Sequence, residues 1–195
     1  NSLCCGTPWK SKGMTKGYET MRRRVVNVMR RATRGGELTV ISDAVSCSEG
    51  FVHELEYEGA TGIQVVDAVQ YVADKVLPIM PVLPKVATAA LHPTCSSTRM
   101  NWSDSLKRCA EAVADEVVVA DTWGCCGFAE DRSMLHPELT ESATRREADE
   151  LGQRKFDLYL SANRTCELGM ERATGKSWRH VLSVLAERMV EYAPA

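Results

Sequence analysis

Two adjacent cysteines followed by glycine occur twice, as Cys4-Cys5-Gly6 and Cys125-Cys126-Gly127, and no other feature limits the folding of this chain as much. Neighbouring side chains diverge, so both thiols of a pair cannot turn into one apolar core. Each pair therefore predicts either a metal site or a strained vicinal disulfide, and a second repeat favours metal. Cys47 lies 42 positions after Cys5, Cys166 lies 40 after Cys126, and both stand in the pattern Ser-x-x-x-x-Cys-x-x-Gly, at Ser42 to Gly50 and Ser161 to Gly169. Self-similarity of this kind marks two copies of one unit. The second copy has a further cysteine, Cys95, 30 positions before Cys125. The counterpart in the first copy would precede Asn1, so the sequence reads as a piece of a longer protein.

The rest of the composition narrows the class. A chain of 195 residues with 44% hydrophobic content and a net charge of -2 has enough apolar material for a core, and neither the basic surface of a nucleic-acid binder nor the bias of a disordered chain. No apolar run approaches the roughly 18 residues of a membrane-spanning helix, so no transmembrane segment is expected. Disulfide frameworks belong mainly to small secreted domains that lack a core. Eight cysteines in a chain able to build one point instead to a reducing, cytoplasmic setting, with a peripheral position at the cytoplasmic membrane face also compatible. Cys109 stands apart. With Leu106, Ala110 and Val113 it occupies the i, i+3, i+4, i+7 stripe of a helix and reads as a buried core thiol.

Strand-like and helix-like patterns alternate. A loop is expected over Thr7 to Gly17, a helix over Tyr18 to Ala32, and a strand over Glu37 to Ser42. Helical patterning is read through Val65, Val69, Val72 and Val76. Pro78, Pro81 and Pro84 punctuate the crossing between the copies, which places the units at 1–84 and 85–195. The second unit is expected to run as strand Val86 to Leu91, helix Ser103 to Asp115, strand Glu116 to Ala120, a helix from Pro137, strand Phe156 to Leu160 and helix Trp178 to Tyr192. This order predicts an α/β fold, two repeated units with largely parallel sheets. Cys47, Cys95, Cys125, Cys126 and Cys166 each follow an expected strand, at the carboxyl ends where ligands of such sheets gather.

Cys95, Cys125, Cys126 and Cys166 supply the four thiolates of a 4Fe-4S cluster, and Cys4, Cys5 and Cys47 form the matching set in the first copy. Four thiolates also suit zinc, although structural zinc sites usually draw on CxxC turns and this chain has none. Gly6 and Gly127 allow close backbone approach beside a cofactor. His92 and Arg164 are candidates to sit beside the thiolates, hydrogen-bonding a sulfur or favouring its charged form.

Together, Cys4-Cys5-Gly6-Thr7-Pro8-Trp9, His92-Pro93-Thr94-Cys95, Trp123-Gly124-Cys125-Cys126-Gly127-Phe128, His136-Pro137-Glu138 and Asn163-Arg164-Thr165-Cys166-Glu167 resemble the cysteine-rich CCG domain of iron-sulfur oxidoreductases. That domain occurs in heterodisulfide reductase, in the iron-sulfur subunits of glycolate oxidase and anaerobic glycerol-3-phosphate dehydrogenase, and in the C-terminal part of FAD-linked D-lactate dehydrogenases, to which the likeness is greatest. The resemblance implies an electron-transfer module that takes electrons from FAD on an upstream domain and passes them to a quinone or cytochrome. It assigns no catalytic residue to this chain. The widest form of the family motif ends in CxxC, whereas both copies here end in CxxG, at Gly50 and Gly169, which favours an ordinary four-thiolate cluster over a five-cysteine one. A zinc-stabilised structural or docking domain, and thiol chemistry like that of heterodisulfide reductase, remain the alternatives.

Overall fold

Short runs rich in β-branched and small apolar residues form the strands, and every strand pairing among the described residues is parallel. The computed structural model describes residues 3–60, 62–129 and 131–192. It divides into two units, Asn1–Tyr71 and Val72–Ala195.

The first unit runs α1 (Thr7–Ser11), α2 (Thr15–Ala32), β1 (Val40–Ser42), α3 (Val45–Tyr57), β2 (Val65–Asp67) and α4 (Ala68–Tyr71). β1 and β2 pair in parallel from Val40 opposite Val65 to Ser42 opposite Asp67. Val25, Val26 and Met29 of α2 meet Leu55, Ala60 and Ile63 in its core. Fully burying an aliphatic side chain such as Val25 stabilises by about 1.5–3 kcal/mol, and Arg23, Arg24, Arg30 and Arg31 keep the opposite face of α2 in water.

The second unit begins with a π-helical turn (Val72–Val76) and a 3-10 turn (Leu77–Ile79). The first of these is tied to the unit by the Arg108–Asp74 ion pair at 2.7 Å. There follow β3 (Val86–Leu91), α5 (Cys95–Arg99), α6 (Ser103–Glu111), β4 (Ala114–Val118), α7 (Arg132–Leu135), α8 (Pro137–Leu151), β5 (Leu158–Ser161), α9 (Arg164–Thr174), β6 (Arg179–His180) and α10 (Val181–Glu191). The sheet order is β4-β3-β5-β6. Ala90, Ala120, Leu151, Phe156, Tyr159, Met170 and Trp178 pack together on it, and the Trp178 indole N–H is satisfied by Thr174 Oγ1 at 2.9 Å.

The α/β class and the parallel strands agree with the sequence reading, and three local expectations are corrected. Thr7 to Gly17 is not all loop, because Pro8 presets the first turn of α1 directly after Gly6. The valine pattern from Val65 begins as a strand: Val65 and Val66 pair with β1 before the chain turns helical at Ala68. The helix expected from Trp178 starts at Val181, because Arg179 and His180 hydrogen-bond to β5 first. Both of these last strands end alike. Asp67 Oδ1 accepts the Val69 N–H at 2.9 Å and His180 Nδ1 accepts the Leu182 N–H at 3.2 Å, so each side chain caps the helix that follows.

Candidate metal centre

The repeated Ser-x-x-x-x-Cys-x-x-Gly pattern has one structural meaning in both units. The serine ends a parallel strand, Ser42 on β1 and Ser161 on β5. The cysteine falls in the first turn of the next helix, Cys47 on α3 and Cys166 on α9, and the glycine follows one turn later on the same face. A Cβ on Gly50 would lie 3.0 Å from Cys5 Cβ, and one on Gly169 would lie 3.4 Å from Cys126 Cβ. The glycine is thus the surface against which the cysteine pair packs. Its absence of side chain lets the helix cysteine meet the second cysteine of the pair, with Sγ atoms 3.3 Å apart for Cys5 and Cys47 and 3.2 Å apart for Cys126 and Cys166.

The glycine after each pair is equally constrained. Gly6 and Gly127 have φ of 73° and 66°, a left-handed conformation that L side chains disfavour. A Cβ on Gly127 would also come within 2.8 Å of Ala143 Cβ and 2.9 Å of the Leu139 carbonyl. The Gly127 carbonyl accepts Ser133 Oγ at 2.8 Å, and its N–H points at Cys125 Sγ, 3.4 Å away. Upstream, the Glu150 carboxylate on α8 accepts the Asp121 and Thr122 amides at 2.7 and 3.0 Å, which anchors the loop between β4 and the pair.

In the second unit the expected thiols form a connected line. Cys95, the first residue of α5, meets Cys125; Cys125 meets Cys126; and Cys126 meets Cys166. Contact with Cys125, then burial, pushes the Cys95 thiol well up. Contact with Cys125 works to lower Cys126, but Cys166 and burial outweigh it and the thiol is raised. Cys125 is the exposed member of the line, Cys95 is half-buried, and Cys126 and Cys166 are buried. Cys109 is buried on α6, among core residues.

His92 joins the buried end. It continues β3, with its N–H on the Leu160 carbonyl at 2.9 Å and its own carbonyl accepting Ser161 Oγ at 3.0 Å. Its ring is fully buried, edge-on to Trp178. Nδ1 lies 2.8 and 3.0 Å from the two carboxylate oxygens of Glu147. Burial works to lower the imidazole, but its contacts with Cys126 and Glu147 outweigh burial and hold it up at about 9. One ring nitrogen of His92 and the sulfurs of Cys126 and Cys166 all lie within 4.8 Å of one another, a spacing that suits a metal ion. Arg164, by contrast, turns to its own helix, 2.9 Å from Glu167.

The first unit brings together Cys4, Cys5 and Cys47. The hydrogen bond with Cys47 holds Cys5 down at about 6, and the same contact pushes Cys47 up. Beside Cys5 and Gly6 sits Glu54 of α3, fully buried with neither carboxylate oxygen hydrogen-bonded. Burial, with Cys5 adding to it, pushes its carboxyl up to about 8.

Glu54 and Glu147 are the site residues that sequence reasoning missed. A signal existed for Glu147, since Thr140, Thr144, Glu147 and Leu151 form the buried stripe of α8. That helix reads as polar because two threonines and a glutamate stand where apolar residues are expected.

Residues 89–171 match the family model of CCG, a cysteine-rich domain. The CCG match runs from β3 into α9 and so contains His92, Cys95, Cys125, Cys126, Glu147 and Cys166. The convergent His92, Cys126 and Cys166 group lies inside the matched segment and has the spacing to hold a metal ion. No helix among the described residues is long and apolar enough to cross a membrane.

Proposed function

We propose that the chain is the iron-sulfur electron-transfer part of a flavin-dependent D-2-hydroxy-acid dehydrogenase of the D-lactate type. FAD on an upstream domain would be reduced by the hydroxy acid, and a quinone or cytochrome would take the electrons, in the cytoplasm or at the cytoplasmic face of a membrane. The observation that carries this reading is the line of thiols Cys95, Cys125, Cys126 and Cys166 at strand ends inside the CCG match. We assign the two repeated units to 1–84 and 85–195, with Cys4, Cys5 and Cys47 as the thiols of the first.

The donor set fits a soft metal centre, because these are thiols that need only lose protons to become ligands. Held by Cys95, Cys125, Cys126 and Cys166, a 4Fe-4S cluster would supply one-electron storage and release. The chain's own contribution is to set the environment. Burial of Cys126 and Cys166 keeps water from one side, and the Gly127 amide directed at Cys125 Sγ tunes the potential through a hydrogen bond to sulfur. Exposure of Cys125 leaves one edge open for electron exchange.

Protein purified without oxygen tests this. Iron and acid-labile sulfide in equal amounts, with broad visible absorbance that dithionite bleaches, is the expected result. In the whole dehydrogenase, Cys126→Ser should leave flavin reduction by D-lactate intact and slow electron delivery to a quinone. Zinc is the second reading, favoured by the imidazole beside Cys126 and Cys166, since structural zinc sites commonly mix histidine and cysteine. A colourless protein with stoichiometric zinc would select it.

A further inference from the structure

His92 offers the site something the cysteines do not. Glu147, itself only 2% exposed, spends its carboxylate on Nδ1. A carboxylate accepts hydrogen bonds, so Nδ1 carries the proton in the metal-bound state and Nε2 presents its lone pair. Nε2, the nitrogen left to face Cys126, is buried with no partner at hydrogen-bonding geometry, a costly condition for a polar group taken out of water. The hydrogen bonds that fix the His92 backbone to β5 and the Trp178 edge leave the ring little freedom to escape. An oriented, unpartnered imidazole nitrogen with two buried thiols inside 4.8 Å is a ligand set, and the carboxylate behind it is the usual outer partner of a metal-bound histidine.

We propose that Nε2 of His92 is itself a ligand of the metal centre, next to Cys126 and Cys166, and that Glu147 is the positioning residue that selects its tautomer. This rests on the reading of the second unit as a metal centre. It makes the centre a mixed imidazole–thiolate one, with the imidazole in place of one of the four thiolates, and the neutral nitrogen donor raises its potential relative to an all-thiolate cluster.

The test uses the chain purified without oxygen, with its iron counted, reduced with dithionite and examined by pulsed electron paramagnetic resonance with ¹⁴N- or ¹⁵N-histidine. Direct ligation predicts a strong nitrogen coupling that changes with the label and is lost in His92→Gln. In Glu147→Gln the coupling should persist with altered size, a change that a glutamate acting only on packing or through its charge would not produce. A paramagnetic cluster without histidine nitrogen coupling overturns the proposal and leaves the iron-sulfur reading standing. Protein with neither iron nor zinc overturns both. If zinc is found, X-ray absorption decides: a nitrogen scatterer at about 2.0–2.1 Å beside sulfurs at about 2.3 Å supports His92 ligation, and sulfur alone refutes it.

Discussion

Gly127 shows how one residue holds the cysteine pair in place. Its φ of 66° and the 2.8 Å approach to Ala143 each exclude a side chain. Gly127→Ala should therefore cost roughly 2–4 kcal/mol, left-handed strain and overpacking together. Urea unfolding of the reduced, metal-free protein measures this, and a loss below about 1 kcal/mol would mean that the loop relaxes. Glu54 makes a pH-dependent prediction. Its carboxyl ordinarily titrates near 4.5 and is raised to about 8 in the fold. Between those values the folded state holds a proton that the unfolded chain has lost. The stability linked to Glu54 is thus fully present below about 4.5 and declines as pH rises toward about 8. Metal-free protein should lose more stability between pH 5 and pH 8 than Glu54→Gln does, and parallel curves would contradict the burial argument. The need for glycine after each cysteine pair was legible in the sequence. Glu54 was not, because its burial depends on Gly6 and Tyr18 closing over it from elsewhere in the chain.

At the scale of elements, the strand–cysteine–glycine arrangement recurs because a parallel strand delivers its next residues into the first turn of a helix. That turn presents Cys47 or Cys166 toward the neighbouring loop. The pairs Cys5–Cys47 and Cys126–Cys166 are already in sulfur contact. In metal-free protein exposed to air, these two pairs should form disulfides, two thiols giving up two protons and two electrons to oxygen, while Cys109 stays reduced inside α6. Peptide mapping of the oxidised protein checks this. A bridge within Cys125–Cys126, or one that includes Cys109, would contradict the packing. The cysteine spacing revealed which thiols follow strands, because that depends on local chain order. It did not reveal the His92–Glu147 contact, which spans 55 positions and depends on α8 crossing the end of β3. Five-residue α1 was lost for a different reason: so short a helix has no periodicity to read.

For the molecule as a whole, the second unit has the fuller donor set: four connected thiols and a buried imidazole within a CCG match. The first unit has three thiols and a buried acid. Metal should accordingly be lost from the second unit in Cys126→Ser and retained there in Cys4→Ser, as metal analysis of the purified variants would report; the opposite pattern would move the centre to the first unit. The most direct measurement is anomalous X-ray scattering from crystals of the protein grown without oxygen. The account predicts a metal peak at bonding distance from Cys126 Sγ and Cys166 Sγ, with His92 Nε2 turned to it. Metal bound away from these atoms, with Cys126 and Cys166 unligated, would contradict it.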